Sequence, residues 1–268
     1  MKILITGHEG FIGRNMMVWM ANEGWSVEGW EWDPKNYPDV KPYDWVVHLG
    51  AVYNADIDTT LTQNLEFSQW LFNECQENEV HLQYASSNAV YGSGPNFSET
   101  GPGNPLTPYA WSKYLFDRWV FQQEHKMFVH GFRYFNVYGK WMHLKGTNAN
   151  LIHKWREQAK QDGYVKVGAN AEHVRWDWTW VGDVCKLHID FIKEVNGSGL
   201  WNVGSGLTHS LLDIAEEVAE KEGVPVKFGS QTVEEKGKGR FKVCADLTSL
   251  KATIGKRKWL NVFEYLNQ

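Results

Sequence analysis

The 268-residue chain lacks the features that would assign it to a membrane, a metal centre or a nucleic acid. No apolar run approaches the ~18 residues that a membrane span needs. Its three cysteines, Cys75, Cys185 and Cys244, are far apart and odd in number, a pattern of free thiols in a reducing cytosol rather than of a zinc site. Lys and Arg number 27 against 32 Asp and Glu, a net charge of −5. With no broad basic field, nucleic acid is not expected as a partner. Met1 runs straight into KILITG, an apparent strand, so no signal peptide and a cytoplasmic location are expected. No internal repeat, low-complexity tract or long linker is present.

Hydrophobic residues make up 43%, enough for a substantial core. The length suits one large α/β domain or a larger domain with a small companion. Fifteen tryptophans stand out, some clustered in WSVEGWEW from Trp25 and VRWDWTWVGD from Val174. Indole fills cores and stacks on flat ligands equally well, and simple filling accounts for most of them. KILIT, GHEGFIG, NMMVWMANEG and WSVEGWEW read in turn as strand, glycine turn, helix and strand, one βαβ unit. DWVVHLGA from Asp44, HLQYASSNAVYG from His81 and MFVHGFRYFNVYG from Met127 read as further strands, separated by helices from Leu61 and Thr107. This alternation predicts an α/β fold, a Rossmann-like doubly wound parallel sheet covered on both faces. Beyond Gly139 the pattern loosens into helices from Asn148, Asp183 and Ser210, with a strand LWNVGS from Leu200. The division predicted is a dinucleotide-binding domain over 1–140 and a smaller substrate lobe over 141–268, with about 176–205 returning to the first domain.

Gly7, Gly10 and Gly13 fall at three-residue intervals in ITGHEGFIGRN, between a strand and a helix. That context suits a dinucleotide pyrophosphate: one glycine for the tight turn, one for close backbone approach, one for helix–sheet packing. The helix N-terminus then offers free N–H groups to phosphate. Glu31 follows at the end of the second strand, where a carboxylate accepts from ribose hydroxyls and repels a 2′-phosphate, favouring NAD over NADP. Arg14 and Lys35 are nearby cations of the opposite tendency, and a solvated strand-end charge is the plain alternative for Glu31.

In TPYAWSKYLFDRW, Thr107 and Pro108 read as a helix start, and Tyr109 and Lys113 leave one face a turn apart. A snorkelling lysine on an amphipathic helix explains this. So does a phenol whose acidity is raised by a neighbouring cation. Ser86 and Ser87 end the preceding strand, at the edge that faces a cofactor in a parallel sheet. In the second reading a serine binds the substrate hydroxyl and Tyr109 takes its proton. Lys113 holds the nicotinamide ribose and draws the phenol pKa from ~10 towards neutrality.

TGHEGFIG, VVHLGA, Asn64, ASSNAVYG, the Tyr109–Lys113 pair and RYFNVYG together resemble the extended short-chain dehydrogenase/reductase family over nearly the whole chain. The resemblance implies Ser87, Tyr109 and Lys113 as catalytic groups. It implies a cofactor, NAD or NADP, against Gly7, Gly10, Phe11, Ile12, Gly13, Glu31 and Trp32 at the first two strands. Further along, the cofactor contacts would be Leu49, Gly50, Ala51, Asn64, Ser86, Tyr134 and Val137. The stretch GFRYFNVYGKWMHLKGTNAN is similar to the segment that marks ADP-glyceromanno-heptose 6-epimerases, as is KGRFKVCADLTSL. Those enzymes oxidise a sugar carbinol, let the carbonyl turn over and return hydride to its other face.

By that resemblance Lys145 is a second acid/base, with diphosphate binding as its other reading, and Asn88, Asn136, Thr147, Arg175 and Arg240 meet a nucleotide-diphosphate sugar. The chain departs from the pattern in three places. It has R-W-D-W for R-D-F, Phe241 for tyrosine, and an added Leu144 in HLKG. About a dozen residues join Glu31 to the next strand, too few for the usual third strand and helix, with YPDV from Tyr37 as a remnant. Trp32 would stack at the reduced adenine edge. Bulky Leu65, Trp70, Phe72, Leu115 and Trp119, on more than one face of their helices, predict a homodimer through a four-helix interface. A reductase or dehydratase on the same scaffold and a non-catalytic dinucleotide-binding module are the competing functions. Asn88, where a dehydratase carries an acid, speaks against the dehydratase.

Overall fold

The computed structural model describes residues 1–94, 97–231 and 241–268. Its centre is a six-stranded sheet in which every pairing is parallel. The N-terminal half supplies β1 (Lys2–Thr6), α1 (Phe11–Asn22), β2 (Ser26–Trp30) and β3 (Trp45–His48). After it come α2 (Ile57–Leu61), α3 (Phe67–Glu77), β4 (His81–Ser87), α4 (Pro108–Val120), β5 (Val129–Tyr134) and β6 (Val137–Tyr138). The remaining elements are α5 (Leu151–Asp162), β7 (Val165–Val167), β8 (Arg175–Asp177), β9 (Thr179–Trp180), α6 (Val181–Glu194) and β10 (Gly199–Val203). The chain ends in β11 (Thr208–Ser210), α7 (Leu211–Glu222), β12 (Val226–Phe228), β13 (Lys242–Val243), α8 (Thr248–Ile254) and α9 (Val262–Leu266).

Strand order across the sheet is β10-β5-β4-β3-β1-β2. Period-two alternation divides each strand between two cores. Ile3, Ile5, Trp45 and Val47 bury against Met16 and Met20 of α1 and Cys185 and Ile189 of α6. Leu4, Val46 and Leu82 face the other way, onto Leu71, Phe72, Cys75 and Phe116 of α3 and α4. The C-terminal part has its own core, in which Trp155 and Ala159 of α5 meet Ile214 and Val218 of α7. Three small sheets join its strands, β11-β8-β13, β12-β7 and β6-β9. Among the described residues no helix is long and apolar enough to cross a membrane.

Several expectations are modified. RYFNVYG is not one strand: β5 ends at Tyr134, Asn136 takes φ 32°, and β6 leaves the main sheet to pair with β9. The helix expected from Leu61 begins a turn earlier, capped by Asp56, and passes through a π-turn at Thr62–Glu66. YPDV forms no strand, so β2 is the sheet's edge. Of the five residues expected to overflow the sheet's cover, Phe72 is wholly core, and Leu65, Trp70 and Trp119 pack against that core. Leu115 alone of the five is exposed.

A buried ion pair ties α4 to β5. Arg133 Nε donates to Asp117 Oδ2 at 2.9 Å, Ser86 Oγ donates to the same oxygen at 2.9 Å, and Arg133 Nη1 donates to the Tyr91 hydroxyl at 2.9 Å. Both charged residues are all but inaccessible. Burial pushes the Asp117 carboxyl pKa up, and the guanidinium beside it opposes that rise. Removing one partner of such a pair strands the other charge. Asp117→Ala is therefore expected to cost about 3–5 kcal/mol in urea denaturation, and pairing Asp117→Leu with Arg133→Met to recover most of that loss.

Candidate active site

The glycine turn after β1 is built for close approach. Gly7 has φ 73°, and a Cβ on it would fall 2.5 Å from the Gly50 Cα, so the first and third strand ends nearly touch. A Cβ on Gly13 would collide with the Gly7 carbonyl. Gly10 caps α1 with no side-chain oxygen, which leaves first-turn N–H groups for a ligand. These are the features a dinucleotide pyrophosphate requires, and the residues present fit NAD(P). Phe11 is buried in the core at the start of α1, with Ile12 packed beside it. Glu31 lies just past β2 and is tied to the turn: Glu9 N donates to its Oε1 at 2.6 Å, and His8 Nδ1 lies 3.2 Å from that oxygen.

A second layer comes from the end of β3. Thr6 Oγ1 and His48 Nδ1 are 2.6 Å apart, and His48 Nε2 and Ser68 Oγ 2.8 Å. Ser68 donates its own proton to Asn64 O at 2.6 Å, so it accepts from His48 Nε2–H, and Thr6 donates to Nδ1. Burial, then the Lys113 charge, lowers the His48 pKa to about 3 and keeps this ring neutral. Asn64 lies in the π-turn, a distortion common at functional sites. Its amide grips Val52 N at 2.8 Å and Val52 O at 2.9 Å and reaches Ser112 Oγ at 3.2 Å. Leu49 and Gly50 are half-buried and Ala51 is exposed, together forming a ledge beside the glycine turn.

Helix α4 starts as its sequence predicts: Thr107 Oγ1 accepts from Ala110 N at 3.1 Å and Pro108 takes the first turn. It presents Tyr109 towards Ser87, whose hydroxyl favours the ionised phenol. Lys113 is buried one turn on. The acidity runs against expectation. Burial pushes the Tyr109 pKa up to about 12, the Ser87 hydroxyl pulling the other way and Tyr53 adding to the rise. Burial brings Lys113 down to about 8 against the pull of Asp117. An oxidised nicotinamide would add a positive charge to this balance. Ser86, expected at the cofactor, instead points its hydroxyl into the core at Asp117, because alternation along β4 sends Ser86 and Ser87 to opposite faces.

Other expected residues are variously placed. Tyr134 is buried with its hydroxyl 2.6 Å from His188 Nε2, and Val137 lies half-buried in β6. Asn88 opens the short 3-10 turn after Ser87. The Asn136 amide donates to Asp177 O at 2.8 Å, which commits its nitrogen to the fold. Trp32 sits in an aromatic cluster, edge-on to Trp30 and Phe67 and tilted on Tyr37. Arg175 is exposed on β8 and donates to Thr208 O at 2.9 Å. Lys145 and Thr147 lie in the 3-10 segment Met142–Asn148. Lys145 is an exposed residue of this segment, and desolvation, with the Lys154 charge second, lowers its pKa. Arg240 lies outside the described residues. The structure thus unites Ser87, Tyr109, Lys113 and Asn64. Two neighbours were not anticipated: Tyr53, whose ring centroid is 4.7 Å from that of Tyr109, and Asp117. Asp117 carried a signal in its i,i+4 spacing from Lys113; Tyr53 carried none.

The sheet and the glycine turn define a Rossmann-type dinucleotide-binding protein. The model of the NAD dependent epimerase/dehydratase family matches residues 3–204, and the chain belongs to that family. It is 28% identical to ADP-L-glycero-D-manno-heptose-6-epimerase of Brachyspira hyodysenteriae, over 97% of this chain and 94% of that protein. Its fold is similar to the crystal structure of the Helicobacter pylori ADP-L-glycero-D-manno-heptose-6-epimerase, with TM-score 0.87 and 20% identity over 99% and 94% of the two chains. A Thermus thermophilus UDP-glucose 4-epimerase complexed with NAD also matches, with TM-score 0.80 and 23% identity over 99% and 96%.

A pH test follows from Lys113. Its folded pKa of about 8 lies below the ordinary 10.5, so the unfolded chain binds more protons between those values and folding gains stability as pH rises through that window. Lys113→Met should therefore raise the unfolding free energy read from urea denaturation at pH 7, by up to about 3 kcal/mol, and the gain should shrink between pH 8 and 10.5.

Proposed function

We propose that this protein is a nucleotide-sugar epimerase that inverts a carbinol centre by transient oxidation with bound NAD(P), and that its substrate is an ADP-heptose. The observation that carries the reading is Tyr109 facing Ser87 at the start of α4, with Lys113 buried one turn along the same helix. Bound at the glycine turn, NAD(P) supplies a hydride acceptor. Tyr109 takes the proton of the sugar hydroxyl as the carbon loses hydride, and Ser87 holds that hydroxyl and the phenol in line. Lys113 orients the nicotinamide ribose and adds positive charge near the phenol. Lys145 handles the proton on the other face of the carbonyl, and its lowered pKa suits the task. Asn88, Thr147 and Arg175 are assigned to the diphosphate sugar, as is Arg240.

Support for NAD over NADP is the Glu31 carboxylate fixed to the glycine turn with Glu9 beside it, a surface that repels a 2′-phosphate. The region over 141–268 supplies the substrate lobe, with α6 and β10 returned to the cofactor domain. Free thiols fit a cytosolic setting. A homodimer is favoured by an apolar face on α2 and α4, where Ile57 is 59%, Trp111 47% and Leu115 39% exposed.

Tyr109→Phe should lower kcat at least a thousandfold with NADH affinity, by fluorescence titration, within about threefold of wild type; activity within tenfold would refute the role. Lys145→Met should stop epimerisation of an ADP-heptose while bound cofactor is still reduced in a single turnover, followed at 340 nm. Normal epimerisation by that variant would reduce Lys145 to a diphosphate ligand. A reductase would instead consume free NAD(P)H. Light scattering at micromolar concentration should give twice the chain mass, and Trp111→Glu should halve it.

A further inference from the structure

The loop that joins β3 to α2 crosses above the catalytic helix, and two adjacent side chains in it make contacts that cofactor binding does not require. Tyr53 sets its ring across that of Tyr109, at 63° with centroids 4.7 Å apart, while half of its own surface stays in solvent. Asn54 takes φ 60°, in the left-handed region where asparagine is among the few tolerated side chains. That turn aims its amide across the cleft. Asn54 Nδ2 donates to Asn148 Oδ1 at 2.7 Å, joining residues 94 apart in sequence. Asn148 ends the 3-10 segment that carries Lys145, Gly146 and Thr147.

That segment needs such a tie. Gly146, at φ 51°, breaks its helical course, and its internal bonds are short-range, Leu144 N to Trp141 O and Ala149 N to Gly146 O, both 3.0 Å. Its anchors lie at the two ends: Asn15 Nδ2 donates to Lys140 O at 2.9 Å and Asn150 Nδ2 to Val137 O at 3.1 Å. The loop bearing Tyr53 is itself fixed, because Asn64 grips both backbone groups of Val52. A rigid point on the cofactor side thus reaches the Lys145 segment through one side-chain bond.

We propose that Tyr53 and Asn54 form a positioning latch, Asn54 pinning the Lys145 segment through Asn148 while Tyr53 roofs the Tyr109 phenol. The latch holds the two proton handlers on either side of one sugar carbon. Its consequence for inversion rests on the epimerase reading; its mechanical part does not.

Amide hydrogen exchange read by mass spectrometry on the full chain tests the mechanical part. Asn54→Ala, Asn148→Ala and the double variant should each speed exchange in residues 142–149 about tenfold and to the same degree, since all three remove one bond. NADH affinity should stay within twofold. Exchange unchanged in Asn54→Ala, or a double variant that sums the singles, would overturn the latch. With ADP-heptose the same variants should lose at least tenfold in kcat with little change in KM. Tyr53→Phe should keep turnover within threefold, and Tyr53→Ala should not. Faster exchange with unimpaired epimerisation overturns the positioning role. Faster exchange in a protein that epimerises no nucleotide sugar upholds the latch and removes the epimerase reading instead.

Discussion

Lys113 carries its ammonium on a helix face where only 3% of the residue meets water, and an ammonium so placed tends to lose its charge. Much of the surrounding structure opposes that tendency. Asp117 stands one turn further along α4 and favours the charged lysine. Asp117 is itself buried, which raises its pKa, and the bonds from Arg133 and Ser86 to its Oδ2 favour the carboxylate. Arg133 in turn spends a second nitrogen on Tyr91, whose hydroxyl donates to Asn202 of β10 at 2.7 Å. A positive charge at the cofactor site thus commits polar residues on β4, α4, β5 and β10 in succession. On the other side His48, held neutral between Thr6 and Ser68, adds no competing cation. Such a network is costly to build, since an unpaired Asp117 or Arg133 would be a buried charge and an unpaired Tyr91 or Asn202 a buried polar group.

The same economy of parts appears at the sheet edge. Among the described residues no strand pairs with the outer flank of β2. Aromatic residues gather there: Trp30 and Trp70 stack on Phe67 at centroid distances of 5.0 and 5.6 Å, and Tyr37 lies 4.6 Å from the Trp70 ring. These rings cover apolar surface that a missing βα unit would cover, at a few residues' expense. A share of the tryptophan excess thereby finds a structural reason. Trp32 remains half-buried at the margin of the cluster, beside Glu31 and the turn that would receive an adenosine.

What the sequence disclosed was local. The glycine turn, the Thr107 cap and the Tyr109–Lys113 spacing are written in a few consecutive residues, because turn geometry and helical periodicity act over that range. The parallel sheet was legible for the same reason, repeated strand by strand. The partners of Ser86, Asn136 and Arg175 were not legible, because each is chosen by a residue 31 or more positions away. The break in RYFNVYG was hidden too: Tyr, Phe and Val on either side are good strand formers, and the poor one between them, Asn136, divides the run through its positive φ and the pull of β9. The rise of the Tyr109 pKa in the protein alone was not legible either, because the burial that causes it is set by the tertiary fold.

That burial bears on how the phenol would work. With its pKa pushed up to about 12, Tyr109 keeps its proton at neutral pH in the protein alone. Burial penalises the phenolate most, so any positive charge brought beside it acts with little screening and moves the pKa far. The oxidised nicotinamide ring carries such a charge and the reduced ring does not. Tyr109 would then be a better base while a hydride acceptor is present and a better acid once the hydride has been taken. An epimerase needs these two characters in that order, since it removes a proton with the hydride and returns both. A phenol already acidic in the protein alone would serve the first half of the cycle and hinder the second. In the proposed role, the burial that raises the pKa of Tyr109 would therefore suit a reversible oxidation.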